Sequence, residues 1–194
     1  ANTLIDYTEL YKTFGTGGGS MVIGAGDTPS YLTAYDLDPD SIGMMATPAG
    51  PKKWVTLMGG GVYAISNKAS EKQIEGALKW LQMTYTPDAT DEYKINTEQS
   101  FQERAEKGFL VGVKSMSQWN TESSALKFRD EMIDKYANGD PAHVKLYNDF
   151  VQDLGGCELR PEEPVCAQEL YGILDNCIQE VLTNKDADPK TLLE

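Results

Sequence analysis

Apolar positions recur at helical spacing along most of the chain. Leu4, Tyr7, Tyr11 and Phe14 predict a short amphipathic helix over residues 3–14, which stops at Gly15. Ser70 with Gln73 matches a capping box, and Ile74, Ala77, Leu78 and Leu81 then lay one apolar stripe along about three turns. Residues 98–107 and 121–138 read as two further helices, the second turning Ala125, Phe128, Met132 and Tyr136 inward and ending at Gly139. Residues 141–154 place Val144, Tyr147, Val151 and Leu154 on one face. The strongest helical pattern comes after a loop with Pro161 and Pro164, where Leu170, Leu174, Cys177, Ile178 and Val181 align. The tail from Asp186 begins one more helix.

Strand signals concentrate in the first third. Met21 to Ala25 reads as a short, mostly buried strand and Ile42 to Ala46 as a second. Trp54 to Met58, three glycines, and Val62 to Ile65 read as a longer strand with a pinched middle, since interior glycine marks a bulge or a close approach. Helices follow almost alone. A self-contained α/β fold alternates strand and helix, so this order predicts part of a sheet whose other strands lie elsewhere.

Composition narrows the function classes. The 194 residues are 40% hydrophobic and 24% charged, ordinary for a globular chain, and no apolar run is long enough to span a bilayer. Thirty acidic against seventeen basic residues give a net charge of −13. That surface repels phosphate backbones, which argues against a nucleic-acid partner. The acids are scattered, as on a well-solvated surface. Of the three cysteines, Cys157 and Cys166 flank a proline-containing loop and could close a disulfide in an oxidising compartment. Cys177 reads as a small buried thiol.

The candidate chemistry is thin. The glycines at residues 15–26 run helix, loop, strand, the reverse of a phosphate cradle, and no Gly-Lys-Ser/Thr follows. Asp36, Asp38 and Asp40 open like a calcium loop, but Ser41 and Thr47 stand where glycine and glutamate belong. His143 is the only histidine, without metal-ligand or triad spacing, and no G-x-S-x-G elbow occurs. The residues therefore point to no catalytic set, metal or cofactor, although thirty acids leave a chance carboxylate pair open. Ten tyrosines and three tryptophans are the remaining resource, because aromatic faces serve the apolar C–H patches of sugars. At helical spacing they read as core, and Tyr7, Tyr11, Tyr136 and Tyr147 are assigned there.

Several segments together resemble one family. Phe14-Gly-Thr-Gly-Gly-Gly-Ser-Met-Val-Ile-Gly24 resembles an "F-x-x-G-x-x-A-M-x-x-x-G" segment, with Ser20 in place of the usual alanine. Ile42-Gly-Met-Met-Ala-Thr-Pro-Ala-Gly50 resembles "I-G-x-x-P-x-P-x-G". Gly59-Gly-Gly-Val-Tyr-Ala-Ile-Ser66, a polar gap, and Ala77-Leu-Lys-Trp-Leu81 resemble "G-G-x-x-x-x-I-x-x-x-S…A-x-x-F-L". Leu170-Tyr-Gly-Ile-Leu through Val181-Leu-Thr-Asn, then Asp188-Pro and Leu192-Leu193, resemble the closing helices. In this order they resemble the carboxy-terminal half of a family 1 extracellular solute-binding protein, the maltodextrin-binding-protein-like sugar-capture component of ABC importers. Residues 84–155 match least.

The resemblance implies an α/β, periplasmic-binding-protein-like (type II) two-lobe fold, present here as a partial chain rich in helices with a few strands. Residues 1–54 would belong to the second, carboxy-terminal lobe. Residues 55–110 would carry a hinge strand and helices of the first lobe, and 111–194 would return to the second. Most of the first lobe would then lie upstream of Ala1. The implied ligand residues are Asp27 and Tyr31 after the "A-M" strand, Gly59, Gly60 and Gly61 at the hinge, and Arg160, Gln168 and Tyr171 around the start of the late helix. The maltodextrin-binding member carries tryptophan where Asp27 stands; an acid there accepts hydroxyl hydrogen bonds and argues against an anionic solute. The implied function is capture of a small carbohydrate for ABC permease subunits, without catalysis. The protein would be a monomer at the cell envelope, lipid-anchored or periplasmic. The alternatives from other classes are a carbohydrate-active hydrolase and a non-catalytic interaction domain.

Overall fold

The computed structural model describes residues 5–119 and 122–193. Helix α1 (Tyr7–Gly15) starts where Asp6 accepts a hydrogen bond from the Glu9 amide at 2.8 Å. It begins later than the expected residue 3, and Leu4 lies outside the described residues. A short helix not foreseen from the sequence, α2 (Thr28–Tyr31), opens with Pro29 in its first turn and continues into a 3-10 turn, Leu32–Ala34. Tyr11, Leu32, Ile42 and Leu110 form a buried cluster, with Phe14, Tyr35, Leu37 and Val113 packed around it.

The expected strands at Met21–Ala25 and Ile42–Ala46 do not form. Met21 and Ile23 are 89% and 87% exposed, so this apolar run finds no sheet to bury it. Ile42 is instead a core side chain, and the Met44 amide bonds the His143 carbonyl at 2.9 Å, the chain passing a helix start and not a strand edge. The expected long strand shortens to β1 (Val55–Leu57), with residues 58–65 irregular. Its partner, β2 (Glu158–Arg160), was not expected. The two pair in parallel.

Among the described residues the chain is mixed α/β, helix-rich, with one small parallel sheet. Helix α3 (Glu71–Thr84) carries the complete capping box, the Ser70 amide donating to Gln73 Oε1 at 2.9 Å. Helix α4 (Asp91–Glu106) begins seven residues before the expected 98, because Thr90 caps it and accepts from the Tyr93 amide. It packs on α5 (Ser124–Tyr136), whose Ala125, Met132 and Ile133 are buried, with Phe128 and Tyr136 half-buried. The expected start of that helix, residue 121, lies outside the described residues. Helix α6 (Pro141–Gln152) is capped by Asp140 and buries Val144 and Phe150, with Tyr147, Val151 and Leu154 half-buried. Helix α7 (Ala167–Thr183) and the short α8 (Pro189–Leu192) close the described chain.

Irregular backbone over 109–114 is held by two asparagines in place of a neighbouring strand. Asn138 accepts from the Val111 amide and donates to the Phe109 carbonyl, both at 2.8 Å. Asn148 accepts from the Lys114 amide at 2.9 Å and donates to the Gly112 carbonyl at 2.7 Å. The sequence carries no periodic signal for such side-chain pairing.

One part of the molecule is solvated where the sequence predicts burial. Of the predicted stripes, Leu78 on α3 and Leu170, Ile178 and Val181 on α7 are exposed, as are Trp80, Met83, Ile173 and Leu182 outside them. Val62 is 94% exposed. The expected buried thiol of Cys177 is only half-buried and donates to the Leu192 carbonyl. Cys157 is buried, Cys166 is exposed, and all three thiols are free in the structure.

Candidate functional site

The parallel pair sets the geometry. Val55 faces Glu158, Thr56 faces Leu159, and Leu57 faces Arg160. The ladder is framed by the Glu158 amide on the Trp54 carbonyl at 2.9 Å and the Met58 amide on the Arg160 carbonyl at 2.7 Å. Both strands therefore end at the same edge, where β1 runs into Gly59-Gly60-Gly61 and β2 into Pro161. The approach to β2 requires glycine: Gly155 and Gly156 take φ of 57° and 84°, and a Cβ on Gly155 would sit 3.2 Å from the Trp54 ring. The close approach expected at Gly59–Gly61 is not made by protein atoms, since a Cβ at any of them would meet nothing within 4 Å.

Arg160 is anchored at this edge. Its guanidinium bonds Glu158 Oε1 through Nε at 2.7 Å and through a terminal nitrogen at 2.6 Å. The Arg160 hydrogen bond, helped by the nearby Lys53, holds the Glu158 carboxyl below the usual range. Two residues on, Glu162 accepts a hydrogen bond from the Tyr171 hydroxyl at 2.8 Å. That bond pushes the Tyr171 phenol up, as do desolvation and the nearby charges of Glu162 and Tyr7. Gln168 is exposed in the first turn of α7.

Tyr7, at the start of α1, belongs to a chain of tyrosines that reaches α2. Its ring lies 6.1 Å from Tyr11 at 27°, and Tyr11 stacks on Tyr31 at 4.9 Å and 5°. Asp27 immediately precedes α2, and its side chain caps no helix amide. Tyr147, whose hydroxyl lies against Gly26, is near it, raised first by burial and then by the charge of Asp27. Tyr147 lies 6.4 Å from Phe150, and Phe150 lies 5.5 Å from Trp54, the residue before β1.

The structure thus brings Gly59, Gly60 and Gly61 to one sheet edge with Arg160, pairs Tyr171 with Glu162 two residues on, and leads from Trp54 before β1 through Phe150 and Tyr147 to the neighbourhood of Asp27, while Tyr31 stacks on Tyr11. Gln168 stands apart from these contacts. Tyr7, assigned to the core from its spacing, is 73% exposed, whereas Tyr11 is buried and Tyr136 and Tyr147 are half-buried. Helical periodicity located the face of α1, but only the position of α2 shows that the face outgrows the core.

Two depressions lie elsewhere. One of about 380 Å³ is bordered by Ala64, Ser66, Lys68, Gln73 and Ala77, and one of about 170 Å³ by Val111, Asp134, Ala137 and Asn148. Neither is lined by the sequence-predicted ligand residues. Among the described residues no three His, Cys, Asp or Glu side chains are grouped to hold a metal ion. Asp38 instead caps a 3-10 turn, accepting from the Asp40 amide at 3.0 Å. No described helix is long and apolar enough to cross a membrane. Compared with protein-family models, with curated proteins and with solved structures, the chain matches none.

Proposed function

We propose that this chain is the carboxy-terminal half of a two-lobe, type II solute-binding component of an ABC importer, and that it captures a small carbohydrate without chemistry. The observation that carries the reading is the shared edge of β1 and β2, where Gly59–Gly61 and the anchored Arg160 meet. Open α/β sheets bind ligands beyond the carboxyl ends of their strands. The surrounding chemistry suits a neutral polyol: open tyrosine faces for C–H patches, and the carboxylates of Asp27 and Glu162 as hydroxyl acceptors.

The exposed apolar faces of α3 and residues 62–65 are consistent with a first lobe supplied by another part of the same polypeptide. Closure of that lobe would complete a cleft of which this chain holds one wall. Delivery to permease subunits at the cell envelope, by a lipid-anchored or periplasmic monomer, belongs to the same proposal.

The test is a thermal-shift screen of the complete polypeptide carrying this sequence, against mono- and oligosaccharides, with chromatography of the recovered sugar. A bound glycan at 100 times its dissociation constant stabilises by about 2.7 kcal/mol and is recovered intact. Recovery of cleaved sugar replaces the proposal with a hydrolase; no shift with any glycan leaves an interaction domain as the better account.

A further inference from the structure

Helix α7 presents Leu170, Ile173, Ile178, Val181 and Leu182 to water, each between 39% and 61% exposed. Exposed apolar side chains scattered singly are ordinary. These five are not scattered: at about 3.6 residues per turn they share roughly half of the helix circumference. The short α8 packs on the same helix, with the Cys177 thiol donating to the Leu192 carbonyl at 3.3 Å, and leaves all five open.

The charges set α7 apart. A solvated helix carries its charged residues on the face opposite its apolar stripe. On α7 that face holds Gln168, Gly172, Asn176, Gln179 and Thr183, none of them charged. Its acids fall instead along the two edges of the apolar half, Glu169 and Glu180 on the edge of Ile173 and Asp175 on the edge of Leu182. No lysine or arginine occurs among its 17 residues. Helices α1, α3, α4, α5 and α6 each take part in an ion pair. Among the described residues α7 takes part in none.

An apolar centre inside a charged, solvated rim is the anatomy of a reversible protein interface, and rim charges of one sign select the partner. A second copy of α7 would set acid against acid, and an anionic lipid surface would meet the same repulsion. An apolar ridge flanked on both sides by lysine or arginine satisfies centre and rim together.

We infer that the apolar half of α7 is a docking surface for a basic amphipathic helix of a partner protein. The inference goes beyond solute capture and stands whether or not a sugar binds.

The experiment is fluorescence-anisotropy titration of the complete polypeptide carrying this sequence. The probes are three labelled synthetic helices of about five turns that share a leucine face and differ only in its flanks, lysine, glutamine or glutamate. Wild type should bind the lysine-flanked helix roughly tenfold more tightly than the glutamine-flanked one, and the glutamate-flanked helix more weakly still. The triple reversal Glu169→Lys, Asp175→Lys and Glu180→Lys should invert that order. A second triple, Asp36→Lys, Glu92→Lys and Glu131→Lys, changes the net charge equally at exposed positions elsewhere and should keep the wild-type order. Ile173→Ser with Ile178→Ser should abolish binding of all three helices, with the melting temperature unchanged because both residues are exposed. The wild-type order in the α7 triple, or inversion in both triples, overturns the inference in favour of attraction to net charge. Undiminished binding to the serine variant overturns it too. Absence of binding to wild type overturns it by showing that another part of the polypeptide covers α7. Self-association of wild type that the two serines abolish gives the face to a second copy instead.

Discussion

Glu98 on α4 accepts from both the Lys135 ammonium and the Tyr136 hydroxyl of α5, joining two helices through one carboxylate. The Lys135 hydrogen bond first, and the Tyr136 bond second, hold the Glu98 carboxyl below its ordinary value. Lys135 is raised in turn, chiefly by the same bond. A carboxylate depressed in the folded state contributes stability above its unfolded pKa and loses it as pH falls through the folded one. Glu98 should therefore titrate below free glutamate in carboxyl NMR, and Lys135→Met should return it toward the ordinary value. Glu98→Gln should reduce the loss of stability on the acid side, change little around neutrality, and also reduce the alkaline loss that comes as pH rises through the raised Lys135 value. A Glu98 midpoint at the ordinary value in wild type would show that the pair is not formed in solution. The site shares this residue-level logic, since Glu158 is depressed by Arg160 in the same way. No periodicity announces either pair, because each joins side chains from separate elements or one short strand.

Helix α3 shows how far local signals reach. Its capping box was legible because both halves lie within four residues, and the structure forms it as expected. Its apolar stripe was equally legible, but Leu78 of that stripe is 49% exposed, Met83 is exposed beyond it, and Trp80 meets Tyr63 edge-on while staying half open to water. A 14-residue helix without tertiary burial is near the length at which isolated helices are marginal. Its persistence in this chain then depends on the cap. Ser70→Ala should cost α3 about 0.5–2 kcal/mol and lower its amide protection in hydrogen exchange, leaving α5 and α6 unaffected. An equal loss of protection across α5 would mean that α3 belongs to the same cooperative unit. Strands obey the opposite rule. Met21–Ala25 had the composition of a strand and no partner edge, whereas Glu158–Arg160 was not read as a strand and pairs with β1. A strand is specified by its neighbour as much as by its own residues.

At the scale of the molecule, burial is unevenly shared. The cluster of Tyr11, Leu32, Ile42 and Leu110 and the α4–α5 contact are packed. Residues 62–65, much of α3 and much of α7 present apolar side chains to water. The two-lobe proposal accounts for this on the α3 side, and it makes a differential prediction. Leu78→Ala should change the stability of this 194-residue chain by no more than about 0.5 kcal/mol, as at other exposed positions. In the complete polypeptide the same substitution should cost about 2–5 kcal/mol, as for a buried leucine. Equal small effects in both, measured by urea denaturation, would mean that no first lobe covers α3.

Sequence alone determined what local forces decide: the longer helices, the capping box of α3, the inward faces of α5 and α6, and the acidic composition that disfavours nucleic acid. Periodicity and capping act within a few residues, so they are legible in one dimension. The tertiary structure decided which apolar faces are covered, which strands exist, and that Gly59–Gly61 and Arg160 share an edge, with Trp54, Phe150 and Tyr147 leading from β1 to the neighbourhood of Asp27. These facts depend on pairings between residues about a hundred positions apart, as Leu57 with Arg160, and burial exists only once both partners are in place.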